Sequence, residues 1–173
     1  MPQRWLSLPA VQEPYGGMAI TQFGVGGAMW VMPNNSITGF RCVPLSIPAD
    51  LDVSRPIDLF CFVAPNGDLA SSAIAALRVR IAAAHLDGTH TNTLIFAYPY
   101  LPIQSAPLPT QRFHLAVDPD PSFAGGAFAP TDLVGLELAR LGSDIEDTLT
   151  LGLRVALVLE LRYFIRCTHV CCP

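Results

Sequence analysis

The densest group of side chains capable of chemistry is an acidic turn near the end of the sequence. Asp144, Glu146 and Asp147 lie within four residues, with Arg140 just before them and Arg154 just after. Paired carboxylates serve in acid–base catalysis or bind Ca²⁺. The alternating oxygen ligands of a calcium loop are absent, however, and aspartates also accept backbone N–H bonds in turns. We therefore assign Arg140, Asp144 and Asp147 a structural role, with Arg140 bridging to the acidic side chains across a β-hairpin.

The cysteines form a second candidate group. The C-terminal stretch Cys167-Thr-His-Val-Cys-Cys172 has the residue types of a zinc site, but a structural zinc site usually draws on two separated pairs of ligands. A disulfide and free thiols remain the alternatives for this tail. Cys42 and Cys61 lie inside apolar runs, and we expect both to be buried as small hydrophobic residues.

The histidines and the nucleophile motifs give little support for catalysis. His85, His90 and His114 would form a metal site only if the fold brought them together, and separate histidines are far more common. The sequence has no Gly-x-Ser-x-Gly motif, and the glycine-rich stretch 24–27 is followed by no lysine. We therefore predict no catalytic residue, no metal and no cofactor, and we expect that the protein is not an enzyme.

Composition narrows the classes of partner. The chain of 173 residues is 51% hydrophobic and only 14% charged, against about 25% charged residues in typical domains. Either the core is large or neighbouring subunits cover much of the surface, and we favour the second interpretation. The net charge is −4 and no basic run occurs, which argues against nucleic-acid binding. Charged residues interrupt the longest apolar stretch, 149–165, so we expect no membrane insertion.

The elements that must position these side chains have the pattern of strands. Short apolar runs separated by Pro, Gly and Asp turns recur throughout the chain, at 37–47, 57–64, 91–98, 111–117, 132–140 and 149–163. Residues 73–86 are rich in alanine, which favours a helix, but 77–81 alternate with a period of two, and we predict a strand there. The pattern predicts an all-β fold, a single antiparallel β-sandwich of jelly-roll type.

The first 36 residues differ from the remainder of the chain. They are rich in Pro and Gly, yet they contain Trp5, Tyr15, Phe23 and Trp30, whereas disordered segments are poor in aromatic residues. We expect residues 1–36 to form an extended N-terminal arm whose four rings contact a surface of the same subunit or of a partner. Residues 37–166 would then form the sandwich, and 167–173 a cysteine-rich tail.

Three stretches resemble a family of bacteriophage virion proteins, namely small β-sandwiches that decorate capsids or form the heads of fibres. They are 48–59, 130–133 and the motif Arg140-x-Gly-x-Asp-x-x-Asp-Thr148 with the apolar strand that runs to Tyr163. The resemblance covers roughly residues 40–165. It implies a trimer on the outside of an icosahedral shell that clamps adjacent capsomers.

The sequence therefore favours a structural protein of the virion. We expect a homotrimeric capsid decoration, or cement, protein on the outer capsid surface, whose partners are its own copies and the major capsid protein. One alternative is a fibre or receptor-binding module that recognises host glycans, with exposed aromatic residues beside polar ones around Tyr98, Tyr100 and His114. A cupin-like metalloenzyme that uses His85, His90 and His114 is a third hypothesis.

Overall fold

The computed structural model describes residues 3–9, 14–23, 27–42, 45–46, 48–52, 55–84, 93–105, 111–117 and 133–165. In these ranges the chain forms thirteen β-strands and no helix. The first seven are β1 (Gln3–Pro9), β2 (Ala19–Phe23), β3 (Gly27–Met32), β4 (Ile37–Arg41), β5 (Leu45–Ser46), β6 (Ile57–Pro65) and β7 (Ala73–Ala84). The others are β8 (Thr93–Ala97), β9 (Tyr100–Ile103), β10 (Gln111–Val117), β11 (Leu133–Leu141), β12 (Leu153–Ala156) and β13 (Val158–Phe164).

Strand β6 lies at the centre of the first sheet. Strand β10 pairs with one side of β6, while β12 and β13 follow each other along its other side. Beyond them, β3 pairs with β12 and β2 with β3, and β1 pairs with β13. All these pairs are antiparallel. Because β1 pairs with β13, the first and last strands are neighbours in one sheet.

Strands β7 and β11 form the centre of the second sheet. They pair with each other over eight positions, from Leu133 opposite Ala84 to Arg140 opposite Leu77. Strands β4 and β5 lie on the other side of β11, and β8 and β9 lie on the other side of β7. This sheet is also antiparallel throughout.

The two sheets share one apolar core. Buried residues of the first sheet, such as Leu59 and Leu159, and of the second sheet, such as Phe40 and Leu138, belong to a single cluster. An alternation with period two places these side chains on one face of each sheet and leaves the other face outside. The predicted all-β antiparallel sandwich is thereby confirmed.

Two local predictions are also confirmed. Residues 73–84 form strand β7 and not a helix, because their alternating apolar side chains face the core while Arg78 and Arg80 lie on the outer face. Cys42 and Cys61 are buried and free, and burial raises the pKa of each thiol to about 12.

The prediction of a hairpin around the acidic turn was wrong. Strand β11 belongs to the second sheet, whereas β12 and β13 belong to the first sheet. Residues 142–152, which we call the crossing turn, therefore connect the two layers of the sandwich. A polar turn between two apolar strands suits both a hairpin within one sheet and a connection between two sheets. Which of the two forms depends on the strands with which β11, β12 and β13 pair.

The described strands of the N-terminal segment are built into the sandwich and do not form an arm separate from residues 37–166. Strands β1, β2 and β3 all pair within the first sheet, and Tyr15 forms an antiparallel bridge with Gly39 of the second. Trp30 is buried in the core with 7% of its surface exposed, because β3 pairs with β12 and turns this ring inward. Residues 167–173 lie outside the described part of the chain.

Candidate functional site

A fully buried arginine organises the crossing turn. The Arg140 Nε donates a hydrogen bond to Asp147 Oδ2 at 2.9 Å, and its Nη2 donates to Oδ1 at 2.7 Å. Its Nη1 donates to the carbonyl oxygens of Met32 at 3.2 Å and Leu151 at 2.7 Å, and Nη2 also donates to that of Leu149. A guanidinium has five N–H donors, so these five bonds use its full capacity. Arg140 therefore joins the second sheet to β3 of the first sheet.

Asp147 anchors the turn to the second sheet. Its Oδ2 accepts the backbone N–H of Ala76 at 3.1 Å, and its Oδ1 accepts that of Leu149 at 3.2 Å. Asp144 Oδ1 accepts the backbone N–H of Glu146 at 2.9 Å within the turn itself. These carboxylates are occupied by protein donors. The arrangement suits the structural role expected of these residues.

A second buried carboxylate lies on the outer face of the second sheet. Glu137 is 5% exposed, and Arg78 Nη2 donates to its Oε1 at 2.8 Å. Arg41 Nε lies 3.4 Å and Arg80 Nη1 3.6 Å from its Oε2. The phenol of Tyr15 lies 3.4 Å from Arg78 Nη2. We call these five residues the Glu137 cluster.

The electrostatics of this cluster follow from its geometry. Burial alone would raise the pKa of Glu137, but the hydrogen bond from Arg78 and the charges of Arg80 and Arg78 leave it below its usual value. Burial and the neighbouring Glu137 carboxylate raise the pKa of Tyr15. Glu137 therefore stays ionised and Tyr15 stays protonated at neutral pH.

The outer face of the first sheet carries aromatic and charged side chains from four strands. Its centre is Phe60, whose ring stacks on His114 with centroids 4.6 Å apart and lies 5.3 Å from the Trp5 ring. The Arg112 guanidinium lies 4.0 Å from the Phe60 centroid, and that of Arg162 lies 5.2 Å from it. We name this group the aromatic–arginine cluster, and its members are Trp5, Asp58, Phe60, Phe62, Arg112, His114, Glu160 and Arg162.

Ion pairs fix the polar members of this cluster. Arg162 donates to Asp58 Oδ2 from Nε at 2.9 Å and from Nη2 at 2.7 Å, while His114 Nε2 lies 2.8 Å from Asp58 Oδ1. Burial alone would raise the pKa of Asp58, but the hydrogen bonds from His114 and Arg162 lower it overall. Arg112 Nη2 donates to Glu160 Oε2 at 3.2 Å. The polar side chains of the cluster are thus held in fixed positions.

The register explains how the cluster forms. Trp5 lies opposite Arg162, Arg162 opposite Asp58, and Phe60 between Glu160 and His114. Directly opposed residues share one face of a sheet. Sequence reasoning missed this site because its members lie up to 157 positions apart in the sequence. The only local signals were the alternations Asp58-x-Phe60-x-Phe62 and Arg112-x-His114.

The residues predicted to form the arm interface are distributed over the molecule. Trp5 is exposed in the aromatic–arginine cluster, Tyr15 belongs to the Glu137 cluster, and Trp30 lies in the core. Phe23 is the last residue of β2, and its side chain is not among those that the structure describes. The structure therefore does not gather these four rings on one surface.

The described residues among those suggested for a glycan do not lie on one sheet. His114 lies in the first sheet, while Tyr100 lies in the second and Tyr98 just precedes it. His85 and His90 fall outside the described ranges. Within those ranges, no three His, Cys, Asp or Glu residues come together as a metal site would require. The same part of the chain contains no helix long and apolar enough to cross a bilayer.

In comparisons with known proteins, the chain resembles some solved structures in its fold. No family model matches the chain, and no curated protein matches it significantly. Among solved structures, it is similar to the CBM22-1 xylan-binding domain of Paenibacillus barcinonensis Xyn10C, with 11% identity, a TM-score of 0.47, and 94% of this chain and 95% of that one covered. A family 11 carbohydrate-binding module from Clostridium thermocellum shows 12% identity and a TM-score of 0.42, with 96% and 91% covered. At these values the comparisons assign this chain neither a family nor a ligand.

Proposed function

We propose that this protein is a structural component of a bacteriophage virion, a homotrimeric capsid decoration protein that binds the outer capsid surface and clamps adjacent capsomers. The supporting observation is the outer face of the second sheet, which combines exposed apolar side chains with arginines. The sequence resemblance described above supplies the virion context. The partners in this proposal are further copies of the chain and the major capsid protein.

The outer face of the second sheet has the composition of a protein-docking surface. Ile37, Tyr100 and Leu133 are 46%, 53% and 40% exposed, and the register places them on the same face as Glu137. Interface anchors are enriched in tyrosine and arginine, and interface centres contain few unpaired charges. The Glu137 cluster supplies a tyrosine and three arginines, and its buried carboxylate is paired with guanidinium groups.

A rigid sandwich suits a protein that must resist deformation of a shell. Arg140 belongs to β11 of the second sheet and donates hydrogen bonds to Met32 in β3 of the first sheet and to the crossing turn, so that sliding of one sheet over the other would disturb these charge-assisted bonds. Repeated contacts between copies and shell would then add their affinities.

Native mass spectrometry of the purified chain at micromolar concentration tests the trimer. We expect a trimer for the natural sequence and for Val158→Asp, a control that changes an exposed residue of the first sheet. We expect monomers for Tyr100→Asp and Ile37→Asp, because each buries a charge in the proposed interface. A monomeric natural protein, or an unaffected Tyr100→Asp trimer, would count against the proposal.

Attachment requires a second experiment. Shells of the major capsid protein, prepared with and without the chain, should differ in electron micrographs by added density at three-fold and quasi-three-fold positions. Point substitutions are preferable to deletion of residues 1–36, because that deletion removes β1, β2 and β3 from the first sheet. Shells that bind no protein would refute the decoration role.

A further inference from the structure

The half-exposed indole of Trp5 lies on the outer face of the first sheet, where the guanidiniums of Arg112 and Arg162 lie 5.3 and 5.5 Å from its ring centroid. The part of the ring that they leave uncovered is a flat apolar platform. Strand β13 separates β1 from β6, so β1 and β6 lie about 9–10 Å apart. The Trp5 ring nevertheless lies 5.3 Å from the Phe60 ring, which means that it extends across β13. Half of its surface, 52%, stays exposed.

Hydrogen-bonding groups with free capacity surround this platform. Among the described residues, the Arg112 guanidinium bonds Glu160 alone, although it has five donors. Glu160 Oε1 and the Trp5 indole N–H have no protein partner in the same part of the chain. Because Asp58 already engages Arg162 and His114, the cluster presents both donors and acceptors in fixed positions.

The charges of the cluster indicate a neutral ligand. Arg112 is balanced by Glu160, and Arg162 by Asp58. No excess of either sign is therefore available to draw a phosphate, a sulfate or a cation.

We propose that the aromatic–arginine cluster is a binding site for neutral glycans whose pyranose rings carry equatorial hydroxyl groups. Such a ring has a flat face of C–H bonds that packs on an aromatic ring, and hydroxyls around its edge that both donate and accept hydrogen bonds. One sugar ring stacks on Trp5, while Arg112 donates to its hydroxyl oxygens and Glu160 accepts from its hydroxyl groups. Phe62, which is 44% exposed, extends the apolar surface toward a second ring.

A carbohydrate fits this face better than a second protein does. Trp5 and Phe62 are the cluster's exposed large apolar side chains, and they lie among Arg112, Glu160 and His114, all at least 40% exposed at their side chains. The centre of a protein interface is depleted in such exposed charge. The proposed glycan site lies on the sheet opposite the proposed protein-docking face, and therefore goes beyond capsid decoration.

Isothermal titration of the full chain with cellohexaose and chitohexaose tests the site, with a heparin hexasaccharide as the anionic comparison. We expect millimolar or tighter binding of at least one neutral probe and none of heparin. Tryptophan fluorescence gives a second readout, because Trp5 is exposed whereas Trp30 is 7% exposed in the core. Quenching by the sugar should disappear in Trp5→Phe.

Matched variants separate the platform from other aromatic surfaces. Trp5→Ala should weaken binding by roughly tenfold or more, as expected for the loss of one stacked ring. Tyr98→Ala removes a ring of similar exposure, 57%, between β8 and β9 of the other sheet and should leave glycan affinity unchanged. Circular dichroism and the thermal midpoint of each variant show that the fold is intact.

Three outcomes would overturn the proposal. They are the absence of binding to both neutral probes, a preference for heparin, and equal affinity in Trp5→Ala. If Trp5→Ala instead abolished the trimer or shell attachment without any glycan binding, this face would be a protein-docking surface. A monomer that still binds cellohexaose through Trp5 would refute the decoration role and leave the glycan site standing.

Discussion

The Arg140 guanidinium holds the Asp147 carboxylate by two parallel hydrogen bonds inside the protein, in the first half of the segment that leads from the second sheet to the first. Both side chains are buried, with 0% and 1% of their surfaces exposed. A buried ion pair gains little over well-packed apolar residues, but the loss of one partner leaves an uncompensated charge. The pair therefore fixes the conformation of the crossing turn, through which the chain passes from the second sheet to the first.

Replacing Arg140 by Met should lower the free energy of unfolding by about 3–5 kcal/mol, because Asp147 would remain buried and charged. Asp144→Ala in the same turn removes one exposed hydrogen bond, to Glu146 N, and should cost about 1 kcal/mol. Urea denaturation followed by fluorescence measures both. Equal losses in the two variants would show that the ion pair does not fix the crossing.

Gly39 is required where three segments meet. A Cβ at this position would lie 2.5 Å from the Leu138 carbonyl oxygen and 2.8 Å from the Ala139 Cα, both of the backbone of β11. Gly39→Ala should therefore destabilise the protein by about 1–3 kcal/mol or more through overpacking. Gly135→Ala on β11 meets nothing within 4 Å and should be neutral or slightly stabilising. Thermal unfolding of both variants makes the comparison, and a neutral Gly39→Ala would contradict the close approach.

The buried thiols should be inert in the folded protein. The pKa of Cys42 and of Cys61 is raised to about 12 by burial, and the thiolate is the reactive form. In a variant with Ser at positions 167, 171 and 172, Ellman's reagent at pH 8 should label neither residue until guanidinium unfolds the chain. Rapid labelling in native buffer would show that the core opens readily.

Acid should weaken the protein through Glu137 and Asp58. Both carboxyls have a lower pKa in the folded state than their ordinary values of 4.5 and 3.8. Their contribution is therefore present above those values and is lost as the pH falls through the lowered pKa values.

Glu137→Gln tests this pH dependence. Below pH 4.5 its unfolding free energy should fall less steeply with decreasing pH than that of the natural protein. Glu146→Gln is the matched control, because Glu146 is exposed in the crossing turn and has no described ion pair. Unfolding curves from pH 2 to 7 supply the measurement. If the unfolding free energies of the natural protein and of Glu137→Gln changed with pH in parallel, Glu137 would not cause the loss of stability in acid.

The strands were predictable because their local pattern is strong. In β7 the alternation Leu77-Arg78-Val79-Arg80-Ile81 outweighs the helix propensity of its alanines, because one face meets the core and the other meets Glu137. The location of Asp144 and Asp147 in a turn shortly after Arg140 was also readable. The connection of this turn to two different sheets could not be predicted, because residues 140–148 would also suit a hairpin within one sheet.

The two outer faces depend on contacts that no local pattern contains. Trp5 and Arg162 are opposite each other across 157 positions of sequence, and Phe60 joins them from a third strand. The aromatic residues of the first 36 positions indicated that this segment is ordered. Which ring turns inward, as in Trp30, and which turns outward, as in Trp5, is set by the pairing partners of each strand.

The adjacency of β1 and β13 has a consequence for synthesis of the protein. The ribosome synthesises β1 long before β13. The strand that carries Trp5 can therefore pair only after residues 158–164 have left the exit tunnel. Topologies dominated by such distant pairings fold slowly. The outer surface around Trp5 is accordingly among the last parts of the fold to form, and a nascent chain arrested before β13 would lack it.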